Sequence, residues 1–188
     1  MQKERRKKRK KSINMVEIKL LSSGKDSATY VVKGTTPVYL NTIRRMILQR
    51  VLTLAIEDVT FVENGSALYD ESVAHRMGLV PIVADLETYS LKSKCKCGGN
   101  GCARCELTFT IDKKGPGIVY AEDIKFADPS VKSAYPKMPV VKLLENQNMK
   151  AEGKATMGCG KQHMKFAPGT VYYRGYPEIK INTPAEVA

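Results

Sequence analysis

Between Thr36 and Leu54 the apolar residues Leu40, Ile43, Ile47, Val51 and Leu54 recur at spacings of three and four. That is the period of an amphipathic helix. Thr36 stands where an N-cap oxygen is wanted, and Pro37 then falls at the first helical position, where its missing N–H costs nothing. At about 100° per residue, Asn41, Arg45 and Gln49 lie opposite the apolar stripe and Arg44 at its edge. A helix of this kind buries one side and offers the other. On pattern alone its plain reading is a surface helix with solvated arginines.

Before it, Ile13 to Leu21 alternates in part, Ser22 to Asp26 makes a turn, and Ala28 to Lys33 returns as the second strand of a hairpin. After it, Ala55 to Asn64 is strand-like through Ile56, Val59, Phe61 and Val62, and Asn64-Gly65 ends it. Tyr69 to Gly78 reads as a short helix with Asp70 as cap and Gly78 as its stop. Leu79 to Ala84, Glu106 to Asp112, Gly117 to Phe126, Val140 to Leu144 and Thr170 to Ile181 read as strands. No internal repeat is visible. The expected class is α+β.

Composition narrows this only in places. At 188 residues, 43% hydrophobic and 27% charged, the chain can bury a real core. The net charge of +12 is unevenly placed: residues 3 to 11 hold eight basic side chains and one acid, a net +7, which leaves only +5 for the rest. The block Arg5 to Lys11 cannot bury apolar surface, so residues 1–12 are expected to be a disordered basic tail. Such a tail would add attraction to nucleic-acid phosphates; equally, Met15 opens the first strand pattern and could be the natural start. No apolar run reaches membrane length and no signal-peptide core follows the basic start, so a cytoplasmic protein is expected.

Four of the five cysteines lie within eleven residues, as C-x-C-x4-C-x2-C: Cys95, Cys97, Cys102 and Cys105, with Gly98, Gly99 and Gly101 between them. Four thiolates at about 2.3 Å satisfy a structural Zn²⁺ and leave no position for an activated water. Iron, or a site that holds no metal, is the alternative. Disulfides are disfavoured in a reducing compartment. Lys92, Lys94, Lys96 and Arg104 are expected to offset the charge of such a site.

Other residues tempt without adding up to chemistry. His75 and His163 are the only histidines, and no serine or cysteine nucleophile with a carboxylate partner is placed beside either. An intrahelical pair from Glu71 to His75 would explain His75 structurally. Gly158-Cys159-Gly160-Lys161 hints at a phosphate loop, but the full G-x4-G-K-[ST] pattern is missing.

Two motifs carry a resemblance. Asn41-Thr42-Ile43-Arg44-Arg45, followed by Asp70-Glu71-Ser72-Val73-Ala74-His75-Arg76-Met77-Gly78-Leu79-Val80-Pro81-Ile82, resembles the alpha-type assembly subunits of multisubunit RNA polymerases, in their archaeal D-type branch. The likeness runs from about Met15 to about Ile181. Gly160 to Pro168 resembles that family's Gly-x-x-His-x-Lys-aromatic-x-Pro segment.

The resemblance implies a dimerisation body of antiparallel sheet plus helices (residues 13–50 and 169–188), with an inserted, mostly β domain (51–168) carrying a zinc loop at 95–105. It implies a non-catalytic scaffold that pairs with the small alpha-like subunit L and supports subunits N and P and the large, B-type catalytic subunit. DNA would be met only through the complex, whose nucleotidyl-transfer carboxylates lie on other chains. Leu40, Ile43 and Ile47 would join body and partner, while Asn41, Arg44, Arg45, Asp70, Glu71, His75 and Arg76 would face the large subunit. No iron–sulfur cluster is expected, because only Cys159 lies outside the zinc loop. The long C-terminal helix usual in such subunits has no counterpart before Ala188. The rival reading is a free-standing, zinc-containing nucleic-acid-binding protein; it calls for basic and aromatic residues on one folded face. A metalloenzyme stands third, for want of an open-site ligand set.

Overall fold

The computed structural model describes residues 15–177 and 179; the basic stretch 1–12 and residues 180–188 lie outside them. The chain divides into two compact units, Met1–Arg44 with Tyr172–Ala188, and Arg45–Val171.

In the first unit, β1 (Glu17–Ser23) and β2 (Ala28–Lys33) form the expected antiparallel hairpin, with an irregularity in β1 between Leu20 and Ser22. Gly34 follows at φ 74°, a conformation that favours glycine, and a Cβ there would lie 2.7 Å from the Met15 carbonyl oxygen. Helix α1 (Pro37–Arg50) begins in this unit and ends in the other. Its start is as the sequence predicts. Pro37 is the first helical residue, and the Tyr39 amide donates to Thr36 Oγ1 at 3.4 Å.

Its end is not. The apolar period predicts a stripe reaching Leu54, but the helix stops at Arg50 and Leu52 already opens β3 (Leu52–Asn64). Val51 to Ile56 is a nearly unbroken apolar run, and a strand buried on both faces accommodates such a run better than a helix with one wet side. Leu54 is accordingly buried, but as a strand residue.

The second unit continues with α2 (Asp70–Gly78), β4 (Ile82–Val83), β5 (Glu106–Lys114), β6 (Gly117–Tyr120), β7 (Lys125–Phe126), β8 (Lys132–Ser133), β9 (Pro139–Leu143) and β10 (Asn148–Cys159). Its main sheet has the order β3-β10-β5-β7, with β10 antiparallel to both neighbours. Two small ribbons, β4-β8 and β6-β9, complete the unit. The strand expected over Gly117 to Phe126 is broken by a short 3-10 turn at Ala121–Asp123, where the Tyr120 amide donates to Asp123 Oδ2 at 2.8 Å. The strand expected over Leu79 to Ala84 shrinks to β4, and residues 170–177 form no strand.

The central strand, β10, is the one the pattern did not announce. Met149, Ala151, Ala155 and Met157 are buried, while Lys150, Glu152 and their polar neighbours alternate outward. Ala and Gly are poor strand formers, so the signal is faint. Small residues are nevertheless required there. A Cβ on Gly153 would lie 2.8 Å from the Phe109 ring and would also strike the Asp58 carbonyl of β3.

Ile56, Phe109, Ile111, Leu143 and Met149 form the core, closed by Val73 and Met77 from one face of α2. Phe109 and Phe126 meet edge to face at 6.1 Å. Tyr89 is buried, and its hydroxyl donates to Asp128 Oδ2 at 2.8 Å. Burial, reinforced by that bond and the aspartate's charge, pushes its pKa up to about 12. Beyond β10, the exit segment is clasped to β3: Thr53 Oγ1 donates to the Phe166 carbonyl at 2.7 Å, and Lys165 Nζ to the Ile56 carbonyl at 2.8 Å.

Candidate functional site

The cysteine loop begins with a 3-10 turn at Lys92–Lys94 and ends where β5 begins. Its path is set by Gly98, Gly99 and Gly101, at φ 68°, 89° and 88°. Those values return the chain on itself at no cost only for glycine. Amides then point inward: Gly98 donates to the Cys95 carbonyl at 3.1 Å, and Cys105 to the Cys102 carbonyl at 2.9 Å.

The four sulfurs converge. Sγ–Sγ separations are 3.5 Å for Cys95–Cys102, 3.6 Å for Cys97–Cys105 and 3.7 Å for Cys102–Cys105, and all four atoms lie within 4.8 Å of one another. A tetrahedron with metal–sulfur bonds of about 2.3 Å has edges of about 3.8 Å. The donor set therefore fits a four-thiolate metal ion in both chemistry and size. The quartet shares its protons unequally. The Cys95 thiol, then the Gly99 amide, hold Cys97 down to about 6. Cys105 accepts the Cys102 amide, which favours its thiolate, but burial and the surrounding sulfurs outweigh this and push it up to about 12.

Lys92 Nζ lies 2.6 Å from Glu106 Oε1, and that bond, with a smaller contribution from Cys105, holds its pKa above the ordinary lysine value. Lys94, Lys96 and Arg104 are exposed. Cys159 stands apart from the quartet, at the end of β10, where its amide donates to Gln162 Oε1 at 2.9 Å. Gly158 to Lys161 is no phosphate loop: Gly160 is pressed against the Leu48 carbonyl, and the Lys161 amide donates to the Gln49 carbonyl at 3.2 Å. His163 caps the turn Met164–Phe166, its Nδ1 accepting from the Lys165 amide at 3.1 Å.

On α1, Asn41 and Arg44 are half-buried and joined: Asn41 Oδ1 accepts from Arg44 Nε at 3.1 Å and Nη2 at 3.0 Å. Arg45 is exposed. Within the chain alone the apolar side of the helix is only partly covered. No α1 residue is buried; Leu40 and Ile47 are half-buried, and Val38, Tyr39, Ile43 and Met46 are exposed.

On α2, Asp70, Glu71, His75 and Arg76 are all exposed; Glu71 and His75 lie opposite the buried Val73 and Met77, and Asp70 and Arg76 flank them. Asp70 is not the cap. Tyr69 is, without a side-chain bond, and Asp70 Oδ1 instead accepts from Asn64 Nδ2 at 2.7 Å. Gly78 is the last helical residue rather than a left-handed stop, with Leu79 as a right-handed C-cap. Glu71 and His75 form no ion pair with each other. Arg76 reaches across to the Pro139 carbonyl at 3.2 Å and helps line a cleft of about 330 Å³ with Leu68, Ile118 and Val141. A second cleft, of about 460 Å³, shares Ala67 and Leu68 and opens beside Asp70 and Glu71. Ile118 and Val141 were missed from the sequence because strands far along the chain bring them to α2.

A match to the RNA polymerase Rpb3/RpoA insert domain covers residues 56–170. The chain belongs to the archaeal D/Rpo3 family of RNA polymerase subunits. It is 39% identical over 174 residues to the DNA-directed RNA polymerase subunit Rpo3 of Methanosphaera stadtmanae, covering 89% of this chain and 64% of that relative. The Rpo3 of Methanopyrus kandleri is 39% identical over 159 residues, covering 84% of this chain and 58% of its own. That of Thermococcus kodakarensis is 38% identical over 168 residues, covering 89% and 62%. The chain thus spans about three fifths of the length of the curated relatives it matches. The insert-domain region of this D/Rpo3 family member takes in the cysteine loop, α2 and both clefts. No helix among the described residues is long and apolar enough to cross a membrane.

Proposed function

We propose that the protein is a non-catalytic assembly subunit of a DNA-dependent RNA polymerase acting in the cytoplasm, and that it works by holding other subunits in place. Residues 13–50 and 169–188 form the dimerisation body, which pairs with the small alpha-like subunit L. Residues 51–168 form the insertion domain, held by a structural Zn²⁺ on Cys95, Cys97, Cys102 and Cys105. Subunits N and P and the large, B-type catalytic subunit assemble on the pair, with Asn41, Arg44, Arg45, Asp70, Glu71, His75 and Arg76 turned toward the large one.

One observation carries this reading beyond family membership: α1 is an amphipathic helix with no buried residue, and β1 is exposed along its whole length, with Ile18, Leu20 and Leu21 uncovered. Apolar surface on that scale marks a site of protein association. Exposed Tyr39, Ile43 and Met46 are the side chains a partner would cover.

Co-expression with subunit L, followed by size-exclusion chromatography, tests it. A stoichiometric heterodimer that captures the large subunits is the expected result. A monomer that instead binds bare DNA in a salt-sensitive way would establish the rival nucleic-acid-binding reading.

A further inference from the structure

The cysteine loop is tied to the rest of the protein by very little backbone. Among the described residues its main-chain bonds close on itself, from Lys94 to Leu91, Gly98 to Cys95, Asn100 to Cys97, and Cys105 and Glu106 to Cys102. The amide–carbonyl pair that leaves it runs from Ser90 to Arg104, at 2.8 Å. The three left-handed glycines give its interior no stiffness of its own.

A carboxylate supplies what the backbone does not. Glu106 follows the last cysteine ligand and opens β5, paired with Thr156 of β10. Its side chain is only 10% exposed, and its two oxygens take different lysines. Oε1 takes Lys92 Nζ at 2.6 Å, on the turn that enters the loop, and Oε2 takes Lys154 Nζ at 2.8 Å, on the central strand. Between them the carboxylate lies against the loop backbone at Gly101, where a Cβ would stand 2.6 Å from Oε2. One side chain therefore touches the loop's entrance, its interior and the sheet beneath it. Neither lysine is deeply buried, so the clamp is ionic and open to screening by salt.

We infer that Glu106 is a positioning residue of the metal centre: its carboxylate, seated against Gly101 and gripped by Lys92 and Lys154, closes the cysteine loop around the ion and docks it on β10. The inference rests on the zinc reading above. Once Cys95 and Cys102 separate, the four-sulfur array is lost, so a clamp joining the loop's entrance to its exit governs how often the metal escapes.

The test uses the full chain reconstituted with Zn²⁺, whose transfer to an excess of a colorimetric chelator is timed, with urea unfolding as the stability reference. Glu106→Gln keeps the shape and removes the charge. It is expected to release zinc about tenfold faster, the lower end of what loss of a supporting group around a metal costs. Lys92→Met should accelerate release in the same sense, and the double variant should be no faster than Glu106→Gln alone, because both remove one contact. Raising the salt concentration should speed release from the wild-type chain but not from Glu106→Gln. Release from Glu106→Gln within twofold of wild type overturns the inference. So does equal acceleration in a core variant, Ile111→Val, matched to it in urea midpoint. A wild-type chain that takes up no zinc at all overturns the metal reading itself, and the inference with it.

Discussion

Replacing Gly153 by alanine should weaken the fold sharply, although it adds a single methyl to an interior strand. Gly153 sits in the central strand β10, between Val59 of β3 and Phe109 of β5. The new Cβ would stand 2.8 Å and 2.9 Å from two Phe109 ring carbons and collide with the Asp58 carbonyl. Neither wall can yield cheaply. Phe109 is 1% exposed and already packed on Phe126, and the other wall is strand backbone. Two effects oppose each other. Alanine restricts the unfolded chain, a gain of about 0.4–1 kcal/mol where the native conformation tolerates it. Overpacking a closed site costs about 1–3 kcal/mol and occasionally more. With one wall made of backbone, the upper end applies and the net loss should be about 2 kcal/mol. At a urea slope of about 2 kcal/mol/M, the midpoint should then fall by about 1 M. Urea unfolding followed by circular dichroism on the zinc-loaded chain measures this. Gly169→Ala, with nothing within 4 Å of the new Cβ, serves as the near-neutral control. A Gly153→Ala midpoint equal to or above wild type would refute the packing described for β10.

The remaining predictions concern the metal, the exposed helix and one buried phenol. Cys105→Ser should abolish stoichiometric zinc while Cys159→Ser leaves it at one per chain, because Cys159 lies outside the sulfur quartet; metal analysis of the two purified variants decides it. Ile43→Asp on α1 should leave the stability from urea unfolding within about 0.5 kcal/mol of wild type, as for other exposed positions, yet reduce capture of subunit L in a pull-down, since Ile43 is 37% exposed. Tyr89→Phe should cost about 1 kcal/mol, the net worth of one hydrogen bond. Because folding raises the Tyr89 pKa from 10.0 to about 12, its contribution is complete below pH 10 and lost as pH climbs toward 12. The phenylalanine variant should therefore show a shallower decline of stability over that alkaline range.

How far the chain declared itself depended on whether the signal was local. Thr36-Pro37 fixed the start of α1, and the C-x-C-x4-C-x2-C spacing with its glycines fixed the sulfur quartet, because caps, turns and ligand spacing act within a few residues. The end of α1 was misread because Val51 and Leu54 fit the helical period by coincidence, while the continuous run they belong to serves a buried strand. The central strand went unread for the opposite reason: Gly153 and Gly158 are small because Phe109, Phe166 and the Asp58 carbonyl crowd them, and that crowding exists only after the sheet has formed. The Lys92–Glu106 pair went unread for the same reason, since its two members lie fourteen positions apart in the chain.

These failures share a physical cause that bears on what the insertion domain does. In the assembly role proposed above, surfaces are presented without chemistry to select their residues, so specificity lies in packing constraints that a linear pattern records poorly. The wet face of α2 shows this. The backbone that carries Asp70, Glu71, His75 and Arg76 is fixed because Val73 and Met77 are locked into the core. Arg76 is fixed further by the Pro139 carbonyl, from a strand more than sixty residues away. Burial of one side thus fixes the backbone beneath the charges, and Arg76 and Asp70, held by the Pro139 carbonyl and by Asn64, meet a partner with part of their side-chain freedom already lost. If that preorganisation matters for assembly, then Met77→Ala, which touches no partner, should weaken docking of the large subunit as well as the fold. Arg76→Met should weaken docking while costing the fold little. Equal docking by the Arg76 variant and wild type, measured by co-purification of the large subunit, would remove α2 from the interface.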